Sequence, residues 1–185
     1  MAKKKFYRFY LYLVARLAEV IVCLLPRSLA LWLARRVGTL AYWIVSRQRE
    51  KTLSHLRIAF GQEKSEKEIR QMAQQVFKNL AQTAVDNLRS PKFNWEKISK
   101  FVDVGDTLEI YKQLLAGGKG LISITAHIGN WELLGGVVFL QDFLPGAVLG
   151  RRIYYEPYNR WIIKLRQDVN VRTINRDGSS REILK

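Results

Sequence analysis

Apolar positions between Phe6 and Leu25 recur at helical spacing. Leu13, Leu17, Val20, Ile21 and Leu24 share one side of a helical wheel, with Arg16 and Glu19 elsewhere on it. Pro26 closes that helix, and Ser28 is the expected N-cap of a second running to about Val45. A third helix is expected over residues 50–59, ending near Gly61. Ser65 with Glu68 forms a capping box ahead of a long amphipathic helix reaching about Leu88. Its apolar positions are Ile69, Met72, Val76, Phe77, Leu80 and Val85, and residues 91–100 follow as a connector.

After Phe101 the pattern changes. Residues 101–104 predict a short strand, and Asp106 with Glu109 a second capping box, opening a helix that stops at Gly117-Gly118. Residues 121–126 have the pattern of a buried strand, followed by a turn and a helix over 130–143. A strand at 147–150, a helix at 158–167 and a strand at 171–174 complete the pattern, with a further helix beginning after Arg176. Strands alternating with helices predict an α/β fold: a largely parallel sheet flanked by helices, with a helical membrane-associated amino-terminal region. The expected division is 1–48 for basic amphipathic helices and 49–185 for the α/β domain. No repeat or low-complexity tract interrupts it.

Charge sharpens the picture of the amino-terminal part. The 185-residue chain carries a formal net charge of +15. A surplus of that size points to a polyanionic partner: nucleic acid, an anionic membrane or an acidic protein. Residues 1–51 hold many of the cations, from Lys3, Lys4 and Lys5 to Arg47, Arg49 and Lys51, against only Glu19 and Glu50. The same stretch is rich in Leu, Val, Ile, Trp and Tyr. A nucleic-acid arm would be basic and polar, so this mixture favours an anionic membrane surface and argues against nucleic acid. Trp32, Tyr42 and Trp43 are residue types that membrane interfaces favour. The interspersed charges leave no apolar run of the roughly 18–20 residues that a span needs, and no signal-peptide pattern closes the stretch. Cys23 is the single cysteine, so no internal disulfide forms; its apolar setting reads as packing.

Candidate chemistry concentrates in one place. Gly117-Gly118-Lys119-Gly120 is not a phosphate loop, because no Gly-Lys-Ser/Thr follows and the run precedes a strand. His127, by contrast, falls at the carboxyl end of the expected buried strand, where open α/β sheets place their ligands. Gly129 permits a tight bend, Asn130 suits an N-cap, and Glu132 falls in the first helical turn, where the dipole favours its ionised form. A strand–turn–helix corner lets His127 and Glu132 converge. A neutral imidazole held by a carboxylate is a general base for a hydroxyl. No Ser or Cys nucleophile motif lies nearby, which favours direct transfer to the substrate hydroxyl. A strand-end histidine and a helix-capping glutamate explain the pair equally well on these residues alone. His55, on the third helix, reads as a surface residue.

The run Gly118-Lys119-Gly120-Leu121-Ile122, followed by His127-Ile128-Gly129-Asn130-Trp131-Glu132-Leu133, resembles the first signature block of the bacterial lipid A biosynthesis acyltransferases. These are the Kdo-lipid IVA lauroyltransferase type within the lysophospholipid acyltransferase superfamily. The resemblance extends back through Arg49, Leu56, Ala59-Phe60, Phe77 and Asn79, and forward to Arg152, Pro157, Asn159, Arg166, Arg176 and Arg181. It implies transfer of a fatty acyl group from an acyl carrier protein thioester to a hydroxyl of a glycolipid acceptor, at the cytoplasmic face of the bacterial inner membrane. It further implies His127 and Glu132 as the catalytic dyad, with no cofactor and no metal. Gly129, Asn130, Arg152, Asn159 and Arg176 are then the substrate-binding candidates; the arginines would hold acceptor phosphates or offset oxyanion charge. Where the family usually has proline after its arginine, Ile153 follows Arg152. Family members of roughly 300 residues would leave about a third absent at the carboxyl end, given ordinary domain sizes. The rival expectations are a glycerolipid acyltransferase acting on a lysophospholipid, and an inactive membrane-binding relative.

Overall fold

The computed structural model describes residues 2–139 and 146–177. The chain divides into two compact units, Ala15–Arg89 and Met1–Val14 with Ser90–Lys185. The boundary expected after residue 48 falls inside the first of these.

That first unit is helical. It holds the end of α1 (Ala2–Leu24), then α2 (Arg27–Ile44), α3 (Ser46–Phe60) and α4 (Glu66–Leu88). Pro26 separates α1 from α2 as expected, although α2 begins at Arg27, with Pro26 rather than Ser28 in the N-cap position. Ala30, Ala34, Gly38 and Tyr42 recur every fourth residue on α2 and are all buried. Small side chains there let two helix backbones come close. At Gly38 a Cβ would stand 2.6 Å from the Phe77 carbonyl oxygen of α4, so no larger residue fits. Around this seam Tyr42, Leu53, Ile69 and Ala73 form one core cluster, and Ala30, Ala34 and Val85 another. The capping box at α4 forms as expected: the Ser65 hydroxyl accepts from the Glu68 amide, and the Glu68 carboxylate accepts from the Ser65 amide at 2.8 Å. Arg27 grips both oxygens of buried Asp86, at 2.9 and 2.8 Å. Buried Arg89 donates to the carbonyls of Val22 and Leu25, where the last helical carbonyls of α1 lack intrahelical partners. The expected apolar side of α1 faces outward: Leu13, Leu17, Val20, Ile21 and Leu24 are all exposed. Among the described residues no helix is long and apolar enough to cross a membrane.

The second unit carries α5 (Trp95–Ile98), α6 (Thr107–Ala116), α7 (Trp131–Phe139), β1 (Gly146–Gly150), α8 (Glu156–Gln167) and β2 (Val171–Asn175). β1 and β2 pair in parallel, with Val148 opposite Thr173, and α8 makes the crossover. Phe93, Ile98, Val137, Val169 and Val171 form its core, joined by Leu133 from α7. Gly136 lets α7 come close to the turn ahead of β2, since an added Cβ would lie 3.0 Å from Val169.

Three expectations fail here. The largely parallel sheet is a single parallel pair among the described residues. Residues 101–104 and 121–126 are irregular rather than strands. A strand exists only where a neighbour supplies hydrogen bonds, and neither segment has one among the described residues. Val102 and Val104 still pack on the core, but Ile122 and Ile124 are 86% and 92% exposed. The capping box at Asp106 does not form either. Asp103 instead accepts from the Gly105 amide at 2.9 Å, and this turn sets the approach to α6. The helix expected to 143 and the one expected after Arg176 extend beyond the described residues.

Candidate active site

Parallel pairing puts the carboxyl ends of β1 and β2 on one edge. The Arg176 amide donates to the Gly150 carbonyl at 3.0 Å, tying the two exits together. Arg152 and Arg176 therefore both leave the strand pair at the same edge. The edge borders a cavity of about 310 Å³, lined among others by Gly150, Arg152, Asn159, Arg166, Thr173 and Asn175. Asn159 is a positioning element: its side-chain oxygen accepts from the Ile153 amide at 3.0 Å and fixes the chain after β1. Arg152 reaches Glu156 one helical turn on, at 2.9 Å, and is largely exposed.

Glu132 is held firmly. Its carboxylate takes two hydrogen bonds from Arg166 of α8, Nε to Oε2 at 2.8 Å and Nη2 to Oε1 at 2.6 Å. This is the two-pronged geometry that makes arginine–carboxylate pairs strong and directional. Hydrogen bonding to Glu132, then its charge, holds the Arg166 pKa above its ordinary value, against an opposing effect of burial. The guanidinium has room because position 150 is glycine; a Cβ there would stand 3.1 Å from Arg166 Nη1. Arg166 thus lines the cavity and clamps Glu132 at once. The sequence offered only a faint signal for this clamp, a cation in the last turn of α8, 34 residues from its partner.

His127 lies apart from this pair. Residues 117–129 are exposed, and the Ile128 amide bonds back to the Ala126 carbonyl at 2.9 Å, folding a tight turn at His127. Its ring packs on Trp131 with 5.0 Å between centroids, and it makes no hydrogen bond to Glu132. Gly129 does adopt the bend expected of it, with φ of 59°. Asn130 caps α7, its side-chain oxygen accepting from the Leu133 amide at 3.1 Å. Its buried amide nitrogen has no partner among the described residues. Glu132 stands in the first turn of α7, as expected. His55 is exposed on α3.

The geometry therefore gathers Glu132, Arg166, Asn159, Arg152 and Arg176 around one end of a βαβ unit, with His127 on the segment leading into α7. A family model described as bacterial lipid A biosynthesis acyltransferase matches residues 3–185. No curated protein and no solved structure matches the chain.

Proposed function

The chain belongs to the bacterial lipid A biosynthesis acyltransferase family, and from that premise we propose a Kdo-lipid IVA lauroyltransferase-type enzyme that uses His127 as its base. Acyl transfer in general follows from the family. The proposed donor is an acyl carrier protein thioester and the proposed acceptor a hydroxyl of a lipid A precursor, met at the cytoplasmic face of the bacterial inner membrane. The excess of positive charge suits both an acidic carrier and a phosphorylated acceptor.

In the proposed reaction the His127 imidazole takes the acceptor proton as the oxygen attacks the thioester carbonyl carbon. The tetrahedral intermediate then expels the thiolate, which recovers the proton from the imidazolium. Glu132 orients the imidazole and offsets its charge. The observation that carries this reading is the Arg166 clamp, which presents an oriented Glu132 carboxylate five residues after His127. Each clamped oxygen keeps a second lone pair, so one can still accept an imidazole N–H when substrate orders residues 117–129. Arg152 and Arg176, at the shared strand edge, would grip acceptor phosphates, while Gly129 and Asn130 shape the entrance to α7.

The test is thioester-dependent acylation of a lipid A precursor. Replacing His127 with Ala should lower turnover by about 10² to 10⁴-fold, the usual worth of a general base. Glu132→Gln should fall into the same range with the fold preserved by circular dichroism. Turnover near wild type in the His127→Ala protein would falsify the mechanism.

A further inference from the structure

A groove of about 510 Å³ lies within the helical unit, far along the chain from the His127 segment. Ser28, Trp32, Arg35 and Arg36 of α2 line it on one side, and Lys78 and Gln82 of α4 on the other. The approach of α4 to Gly38 places Lys78 there: the Cα of Lys78 would be 2.7 Å from a Cβ at position 38. Three cations thus share one concavity. Among the described residues no carboxylate pairs with any of them. The two helices that form the groove supply none along it: α2 has no Asp or Glu, and α4 has none from Ile69 to Val85. Asp86, next in line, is already held by Arg27. Arg36 is pre-oriented, its guanidinium carbon 5.0 Å from the centroid of the Trp32 ring.

The surface beside the groove is apolar. Leu29, Leu33, Leu40 and Ile44 fall on one face of α2 by helical spacing, and all are exposed, as is Trp32. A soluble anion would need the cations but not this face. A lipid would use both, with phosphate at the cations and acyl chains against the leucines.

We propose that the α2–α4 groove is a binding site for the phosphate of an anionic lipid headgroup, gripped by Arg35, Arg36 and Lys78 while the neighbouring face of α2 enters the acyl region. The proposal rests on the reading of the protein as one that works at a lipid surface, and adds to it a defined headgroup site. A phosphate monoester suits the groove best, since it carries close to two charges and three acceptor oxygens at neutral pH. An arginine fork can engage two of those oxygens and leave the third for another cation, whereas a carboxylate has only two oxygens to share.

The experiment titrates the full chain against zwitterionic vesicles doped with phosphatidate or phosphatidylserine, matched for surface potential. The wild type should prefer phosphatidate by about tenfold, the increment of one good two-pronged contact. Arg35→Gln/Arg36→Gln/Lys78→Gln should reduce that preference to about twofold or less while retaining apolar binding. A charge-matched control, Arg47→Gln/Lys51→Gln/Lys67→Gln, should bind more weakly overall yet keep the preference. Circular dichroism checks each fold, and Arg36→Gln alone replaces the triple variant if the latter unfolds. Equal affinity of the wild type for the two lipids, or a preference that survives the variant, overturns the headgroup site. Displacement by millimolar inorganic phosphate assigns the groove to a soluble ligand and overturns the lipid assignment. Failure of the wild type to bind any vesicle instead removes the membrane reading itself.

Discussion

Two apolar stretches of this molecule have opposite fates: the α2–α4 seam is sealed, whereas residues 121–126 are exposed. The seam succeeds because each helix satisfies its own backbone and needs only a complementary face. Ala30 and Ala34 offer that face to Val85 and Ala81, Gly38 meets the Phe77–Lys78 backbone, and Tyr42 packs with Ile69 and Ala73. Residues 121–126 carry Leu121, Ile122 and Ile124, but a strand satisfies its backbone only through a neighbour, and β1 pairs with β2. Hydrophobicity marks what should be buried; hydrogen bonding decides what can be. The same difference separates the regions into a scaffold and the proposed site, since His127 follows a stretch that has no ladder among the described residues to fix it.

The sharpest way to break this comparison applies one substitution to both regions. Ile69 is 1% exposed and Ile124 is 92% exposed. Ile69→Ala should cost about 2–5 kcal/mol, combining lost transfer energy with a cavity beside Tyr42 and Leu53. Ile124→Ala should stay within about 0.5 kcal/mol. Urea denaturation of both variants measures the gap. Comparable losses would mean that residues 121–126 are buried in solution and that the two regions do not differ as described.

Legibility in the sequence follows the same physics. The Ser65–Glu68 box was readable because its partners are three residues apart and nothing intervenes. The Asp106–Glu109 box has the same spacing, but the turn at Asp103 sets the approach to α6 first. Residues 146–150 and 171–175 were readable as strands nearly to the residue, through their β-branched positions and the helix between them. The run at 121–126 was misread because its strand character depends on partners elsewhere in the chain. Around the site, Gly129's bend and Glu132's place in the first turn of α7 were local and legible. The grip of Arg166 on Glu132 was not, because it depends on how α7 and α8 pack against β2.

That grip offers an intermediate effect and a way to sharpen the comparison within the site. Arg166→Lys keeps the charge but loses the planar fork, so Glu132 should swing free of its double hydrogen bond. Stability should fall by about 1.5 kcal/mol, the lower end of what one hydrogen bond to a charged group contributes. Turnover should fall by roughly tenfold with KM for the thioester little changed, the pattern of a group that positions rather than binds. A variant matching wild type in stability and turnover would reduce the clamp to an ordinary ion pair.

The smallest expected effect tests the fully local end of the comparison, where α4 begins. Glu68 accepts from the Ser65 amide and hydroxyl, each at 2.8 Å. The amide hydrogen bond first, then the hydroxyl, then Lys64 hold its carboxyl pKa below the ordinary value, while desolvation opposes them. A carboxyl lowered on folding stabilises the fold fully above its unfolded pKa of about 4.3. That contribution is lost as pH falls through the lower folded value, where the native carboxylate finally takes its proton. Glu68→Gln removes the titration while keeping an oxygen that can accept from the Ser65 amide. Wild type should therefore melt slightly above the variant at pH 6–7, and the gap should close as pH drops below about 4. Thermal melts of both proteins across pH 3–7 measure it. A gap that is constant with pH would show that the box acts through its geometry alone, with no share from the charge of Glu68.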